Sequence, residues 1–380
     1  MCETDLPEEW AILRDWMDGD LSRSAKRHGF VRRSSGRLDA ELWLRLILMH
    51  VAGGLSLKQT MVRAAELEWC ELSHVALFKR LRASQDWLIG LCGGLLSWQR
   101  ARLDESSCWP PGWEVRLIDA TDVLEPGSTG ASWRIHYSLR MPQMVCDHYE
   151  ITDAQGGERF GRFEFREGEL VVADRGYSHR AGVAHVKDSG AHALVRWNPA
   201  SFPLHTRKGG KSGGDDMLAW LRKLPATAPR ERYAWFRHED REYRVRLCAI
   251  RKSRLAAERA RGKARRKAQK NNHEIRSETL EYAGYVMVLC SAPRESVPLA
   301  SALGLYRGRW QVELVFKRLK SLLGAGHVPK ESDESARAWM QAKILTALLI
   351  ERTLWEGEFF SPWGHGFGRR GASEPLADLH

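Results

Sequence analysis

The chain has 380 residues, 43% of them hydrophobic and 28% charged, and carries a formal net charge of +11. Such a balance supports one large core or two smaller ones and excludes a globally disordered chain. It also excludes a membrane-spanning helix: the best apolar runs, Leu42–Val51 and Ile344–Ile350, adjoin Arg45 and Lys343 and fall well short of the roughly 20 residues that a bilayer demands.

The positive charge is unevenly spread. Between Arg251 and Lys270 there are ten Lys or Arg against one acid, Glu258, the footprint of a polyanion-binding surface or of a solvated, charge-rich helix. Seven cysteines, odd in number and without a C-x-x-C pair, indicate neither a disulfide framework nor a zinc ribbon. Reduced, mostly buried thiols are expected. The opening Cys2, Glu3 and Asp5 do not read as a secretory signal, so a cytoplasmic protein is expected.

From the N-terminus, about the first hundred residues read as helical. Leu38–Val51 has apolar residues at helical spacing and stops at Gly53-Gly54. Ser56 can cap a helix from Leu57 to about Glu66, and Ser73 another from His74 to about Arg82. The second would present Lys79, Arg80 and Arg82 on its exposed side. Two short helices with a tight connection and a basic second member suggest helix-turn-helix contact with DNA, although a plain helical bundle would read the same way.

After Pro110-Pro111 the pattern changes. Glu114–Ala120, Trp133–Leu139, Cys146–Ile151 and Glu169–Ala173 read as strands, the last apolar throughout and therefore central. A helix from about His179 to Lys187 and a strand from His192 to Trp197 follow, which together predict an α/β layer fold. His136 and His192 are expected to be core or edge histidines, because no metal-ligand spacing ties them to another His or Cys. From about Asn198 the chain reads as irregular. Gly210-Lys211-Ser212 lacks the first glycine of a phosphate-binding loop, which would fall at His205, and this excludes an ATPase reading. A hairpin is expected from Arg232–Phe236 and Glu242–Ile250, then a basic helix from Ser253 to about Lys270 and a strand over Tyr282–Cys290. Helices over Leu303–Leu323 and about Glu334–Trp355 come last, and Gly364–His380 is expected to be poorly ordered.

The chemistry-bearing residues are three acids. Tyr306, Arg309, Glu313 and Lys320 lie within about 60° of one another on a continuous helix. Their stripe borders an apolar one made of Leu305, Val312, Phe316, Leu319 and Leu323. Alone, this pattern is equally an i,i+4 ion pair between Arg309 and Glu313, worth about 0.3–0.5 kcal/mol. Asp119 and Asp174 end two of the predicted strands, where α/β sheets place functional groups, though strand-end aspartates also cap turns. Asp122 competes with Asp119, which is preferred because it directly ends the hydrophobic run. Three carboxylates on neighbouring elements call for neutralising cations, and oxygen-only ligands suit Mg²⁺ or Mn²⁺. Two such ions about 4 Å apart can activate a water or a 3′-hydroxyl and stabilise the leaving oxygen of a phosphodiester.

Tyr306, Arg309, Glu313 and Lys320 read Y-x2-R-x3-E-x6-K, which resembles the signature of the IS4 family of bacterial insertion-sequence transposases. Asp119-Ala120-Thr121 is similar to that family's first acidic motif, and Val171-Val172-Ala173-Asp174-Arg175-Gly176-Tyr177 to its second. The acids are spaced by about 55 and about 140 residues, as in the family, and the resemblance runs from about Trp113 to Leu323. It implies a ribonuclease-H-like core interrupted by a β-rich insertion, with a helical N-terminal domain. The implied division is a helical DNA-binding domain over 1–105, core over 106–198, basic insertion over 199–280, core over 281–332, and a C-terminal helix and tail over 333–380.

It implies further a DDE enzyme for cut-and-paste transposition. Asp119, Asp174 and Glu313 would hold two Mg²⁺ (or Mn²⁺) ions, Arg309 and Lys320 would contact phosphates at the element's end, and Tyr306 would hydrogen-bond or stack there. The implied partners are double-stranded DNA, as terminal repeats and target, and a second copy of the chain, at the nucleoid. Cleavage through a hairpin would need an aromatic to hold a flipped base, with Trp197, Trp235, Tyr282 and Tyr285 as candidates. Two alternatives stay open: a structure-specific nuclease on the same core, and an impaired or truncated copy that only binds DNA. The second is suggested by Gly364-His365-Gly366-Phe367-Gly368-Arg369-Arg370, where related enzymes continue into further helices, so a shortened or frame-shifted copy is an expectation.

Overall fold

Side-chain caps set the helix starts of the first hundred residues in the computed structural model. The structure describes residues 8–17, 19–31, 38–104, 112–128, 130–210, 214–226, 228–329 and 332–359. Its helices open with α1 (Glu8–Trp16), α2 (Leu21–Arg27), α3 (Ala40–Ala52), α4 (Leu57–Glu66), α5 (His74–Ala83) and α6 (Gln85–Asp104). Asp39 accepts from the Leu42 N–H ahead of α3, Ser73 from Ala76 ahead of α5, and Ser56 with Gln59 forms a reciprocal capping box ahead of α4. Trp43, Leu44, Ile47, Leu77, Leu81 and Trp87 are buried between these helices.

The chain divides into two compact units, residues 1–102 with 321–380, and residues 103–320. The second unit is built on one eight-stranded sheet. Its strands are β1 (Glu114–Val123), β2 (Trp133–Arg140), β3 (Val145–Asp153), β4 (Glu169–Ala173), β5 (His192–Arg196), β6 (Arg230–His238), β7 (Arg241–Arg251) and β8 (Tyr285–Cys290). Their spatial order is β3-β2-β1-β4-β5-β8-β7-β6. β1, β2 and β3 form an antiparallel meander, β4 and β5 run parallel to β1, and β8, β7 and β6 extend the sheet antiparallel. The hairpin residues expected between 232 and 250 therefore lengthen the main sheet.

Five helices connect or flank these strands: α7 (Arg180–Asp188), α8 (Gly214–Arg222), α9 (Arg254–Lys270), α10 (Ser277–Tyr282) and α11 (Leu299–Gly308). α12 (Trp310–Ser321) follows α11 after a single residue, and α13 (Asp333–Phe359) packs against α3 and α5 in the first unit. β4 is buried along its whole length, the consequence of its all-apolar sequence and of having neighbours on both edges. Charge also enters the interior. Arg140 pairs with Asp147 at 2.6 Å and Glu169 at 2.7 Å, and Arg116 pairs with the same two acids at 3.1 Å.

Four elements differ from the sequence expectation. β1 runs on to Val123, so Asp119 lies inside the strand and does not end it; pairing with β2 holds the extra residues. The single helix expected over Leu303–Leu323 is interrupted at Arg309. There the Arg309 N–H donates to Tyr306 O and the Val312 N–H to Arg309 O, i to i+3 bonds that tighten the turn. α8 lies in a stretch read as irregular; burial of Met217, Leu218 and Leu221 holds it. α10 replaces the start of the last expected strand, and with six residues is too short to show a period.

Four of the five described cysteines are buried, and among the described residues no helix is long and apolar enough to cross a membrane. The segment Gly364–His380 and Cys2 and Cys108 lie outside the described residues, as does Lys211-Ser212. The expected division broke at 105/106, 198/199, 280/281 and 332/333; the compact units break at 102/103 and 320/321.

Candidate active site

Sheet register brings the two aspartates together. In the parallel β1–β4 pair, Ile118 lies opposite Ala173, so the next residues, Asp119 and Asp174, emerge side by side where the ladder ends. Asp119 is buried, 8% exposed, and its Oδ1 accepts from the Ala120 N–H at 2.9 Å. Asp174 is half-buried and caps a short 3-10 turn, accepting from the Gly176 N–H at 2.5 Å. Asp122 points elsewhere: it is half-exposed and pairs with Arg134 at 2.9 Å. Burial and neighbours favour Asp119 over Asp122, a better reason than position at a strand end.

α12 supplies the third acid. Val312, Phe316 and Leu319 are buried, and the Phe316 ring meets Tyr137 edge-on at 6.1 Å. Tyr137 is the register partner of Asp119 on β2, so this contact holds the start of α12 over the aspartates. Arg309, at the break between α11 and α12, donates to Asp119 Oδ2 at 3.1 Å and to Glu313 Oε1 at 2.7 Å. Tyr306 is half-buried, hydrogen-bonds Arg309, and lies within the electrostatic reach of Asp174. Glu313 stays largely exposed, at 59% of its side chain. Lys320, almost two turns further along α12, is exposed.

A fourth carboxylate, which no sequence motif contains, stands at the same place. A Cβ built on Gly176 would lie 1.5 Å from Glu158 Oε2 and 3.0 Å from Asp174 Oδ1. The two carboxylates are thus close neighbours across a glycine. Tyr177, next in the chain, is 1% exposed, and its hydroxyl has no hydrogen-bond partner among the described residues. Tyr177 closes the second acidic motif of the sequence, whereas Glu158 carries no sequence signal and becomes visible only through the space it occupies.

The electrostatics follow from this crowding. Burial pushes the Asp119 carboxyl up to about 7; the Ala120 N–H and Arg309 oppose the rise, while Asp174 and Glu158 add to it. Glu158 is raised by burial first and then by Asp174. The Tyr177 hydroxyl is raised by burial and then by Asp119, Glu158 and Asp174. Buried like charges of this kind favour a cation or a proton. Among the described residues no three acidic, His or Cys side chains converge closely enough to hold a metal ion as they stand; Arg309 takes the cationic place between Asp119 and Glu313. The donor set is carboxylate oxygen only, which fits a hard divalent cation.

Other expected site residues are less alike than the sequence suggests. On α5, Lys79 is exposed, and Arg82 pairs with Glu334 at the start of α13. Arg80 is not on the exposed side: it donates to Phe30 O at 3.1 Å, and its guanidinium lies over the Phe30 and Trp43 rings. Its planar cation is used in packing. Of the four aromatics considered for a flipped base, Trp197 and Tyr285 are buried, whereas Trp235 and Tyr282 are half-buried. His136 is fully buried and His192 half-buried in the sheet, as core or edge residues.

The model of the transposase DDE domain matches residues 114–350, from the start of β1 into α13. InsL, for insertion sequence element IS186A of Escherichia coli (strain K12), is 32% identical over 357 residues, 91% of this chain and 94% of that protein. The transposase for insertion sequence element IS421 of Escherichia coli is 31% identical over 358 residues, with the same coverage. A cryo-EM structure of the piggyBac transposase synaptic complex with hairpin DNA aligns with a TM-score of 0.49 at 8% identity, over 92% of this chain and 76% of that one, a likeness too slight to carry an argument. The chain belongs to the DDE transposases of bacterial insertion sequences.

Proposed function

We propose that the protein carries out cut-and-paste DNA transposition, with Asp119, Asp174 and Glu313 as the acids that hold divalent cations, Mg²⁺ in the cell. The observation that carries this reading is the meeting of the three acids: register sets Asp119 beside Asp174, and Arg309 links Asp119 to Glu313. We read β1–β5, a meander followed by two strands parallel to β1, as a ribonuclease-H-like core, and β6, β7, α8, α9 and α10 as its insertion.

When bound, the two ions would supply activation of the attacking water or 3′-hydroxyl and stabilisation of the leaving oxygen. The chain's own residues do the rest. Asp119 and Asp174, fixed to adjacent strands, form the rigid half of the site. Glu313 is the adjustable half, since it is exposed and, among the described residues, tied through Arg309. Arg309, which here ties Asp119 to Glu313, would offer its planar fork to a DNA phosphate, with Tyr306 beside it. In the second unit, exposed Lys320 and the strongly basic α9 add phosphate contacts; in the first unit, exposed Lys79 and Arg82 add others. The reading includes action on double-stranded DNA at terminal repeats and target, by a homodimer, in the bacterial cytoplasm at the nucleoid.

The test uses purified protein and labelled DNA carrying the gene's own flanking ends, with and without Mg²⁺, beside Glu313→Gln. Nicking and joining at the end that require metal and disappear in the variant are expected. Specific end-binding with no cleavage would leave a DNA-binding protein in place of an enzyme, and cutting without joining would leave a nuclease.

A further inference from the structure

Glu158 lies in the segment between β3 and the 3-10 turn Phe160–Arg162, and that segment is pinned from several sides. Asp153 Oδ1 accepts from the N–H groups of Gln155 and Gly156 at 3.0 Å each. Arg134 donates to Gly156 O at 3.1 Å and Arg162 to Gly157 O at 3.0 Å. Phe160 is fully buried and packs against the Tyr177 ring at 5.2 Å. A loop could turn an acid outwards to water at little cost; this one holds Glu158 inwards against Asp174.

Two independent features mark the space around it. Gly176 has no left-handed backbone that would require glycine; what requires it is room, since a Cβ would fall 1.5 Å from Glu158 Oε2. The second-acid motif therefore contains a glycine where Glu158 enters. Among the described residues the buried Tyr177 hydroxyl is unpartnered, and the charges bearing on it are Asp119, Glu158 and Asp174, opposed by Arg162. Buried hydroxyls are normally paired, and this one lies within electrostatic reach of three carboxylates without bonding to any of them.

We propose that Glu158 is a further cation-holding residue of this site, seating a divalent metal ion together with Asp119 and Asp174 on the sheet side. The chemistry is that of a hard cation taking carboxylate oxygens; the three acids do not converge on one point in the structure, and binding would draw them together. The proposal rests on the reading of Asp119 and Asp174 as metal-holding acids. Under it, the DNA-free protein binds its cation through the three sheet-side acids, and Glu313 contributes little until DNA is present.

The test is Mn²⁺ binding to the full, DNA-free chain, followed by loss of the free-ion EPR signal, for wild type, Glu158→Gln, Asp119→Asn and Glu313→Gln. Glu158→Gln and Asp119→Asn should each weaken Mn²⁺ at least tenfold, and Glu313→Gln less. Thermal melting separates a ligand from a merely structural residue. Without metal, Glu158→Gln removes a crowded like charge and should melt no lower than wild type, yet gain less from added Mn²⁺. A lower melting point without metal together with unchanged Mn²⁺ affinity overturns the proposal. Wild-type affinity in Glu158→Gln with weak binding in Asp119→Asn overturns it while leaving the transposase reading intact; wild-type affinity in both variants overturns the two together. Should Glu158→Gln fail to fold, Glu158→Asp, which withdraws the carboxylate by one methylene, should bind several-fold more weakly, and unchanged affinity there also overturns the proposal.

Discussion

Arg309 donates a hydrogen bond to Asp119 Oδ2 at 3.1 Å, joining residues 190 positions apart in the chain. Its second bond, to Glu313 Oε1 at 2.7 Å, makes it the tie between the sheet's acid and the helix's acid. The bond to half-exposed Glu313 is screened by solvent, so the Asp119 bond carries most of the effect. Arg309→Gln should cost about 1.5–3 kcal/mol of stability, the range for a hydrogen bond to a charged group, and slow end cleavage at least tenfold. Arg309→Lys should recover only part of either, because a point charge cannot bridge two carboxylates as a fork does. Chemical denaturation and cleavage rates measured on the same preparations check both; full activity in Arg309→Gln would remove this residue from the site.

A pH prediction comes from His136. It is fully buried, shares a hydrogen bond with Thr152 at 3.0 Å, and is pushed down to about 4 by burial first and then by Arg162. The folded state therefore holds a neutral imidazole while the unfolded chain takes up a proton below about 6.5. The unfolded state binds more protons in that window, so stability falls as pH drops from about 6.5 towards 4, by at most about 1.4 kcal/mol per pH unit for this group. Replacing His136 with Gln should flatten that part of the curve, read from urea midpoints across the window. An unchanged slope would show that other groups set it.

The buried cluster of Arg116, Arg140, Asp147 and Glu169 predicts a large mutational cost away from the site. Arg140→Met would leave Asp147 and Glu169, both nearly fully buried, sharing the Arg116 guanidinium, with Arg166 3.8 Å from Glu169. Breaking a buried pair from one side costs about 3–5 kcal/mol. A fall in the melting temperature with no change in DNA specificity among surviving folded molecules is expected. A loss under about 1 kcal/mol would mean that water reaches this cluster.

α9 predicts a salt effect. Only Ala257 of its 17 residues is buried, so packing explains little of its charge. Arg259, Lys263, Arg266 and Lys270 are exposed; changing all four to Gln should weaken DNA binding and reduce the slope of log affinity against log salt by about 0.9 for each phosphate no longer neutralised. Binding measured between low and moderate salt checks this, and an unaltered slope would mark α9 as a solvated face.

Much of the site is legible in the sequence alone. Asp119, Asp174 and Glu313 stand out by order and spacing, and two helices begin where the Ser56 and Ser73 caps predict. These are local signals: a cap acts over three residues, a helical stripe over one or two turns, and an apolar run over five. The same local reading misjudges Arg80, whose charge looks free on a helix wheel but is spent on Phe30 and Trp43, because packing partners 50 and 37 residues away leave no trace in the helix's own period.

By itself, then, the sequence determined which residue types are present to do chemistry, in what order, and where most helices and strands begin. The tertiary structure decided which of them meet. Register between β1 and β4 put Asp119 beside Asp174, and burial separated Asp119 from Asp122. The break at Arg309 turned one expected helix into two and left a cation between two acids. Glu158 joined them only because Gly176 leaves it room. Each of these depends on distances between segments far apart in the chain, where sidedness, burial and like-charge repulsion are set by neighbours that a linear reading does not contain.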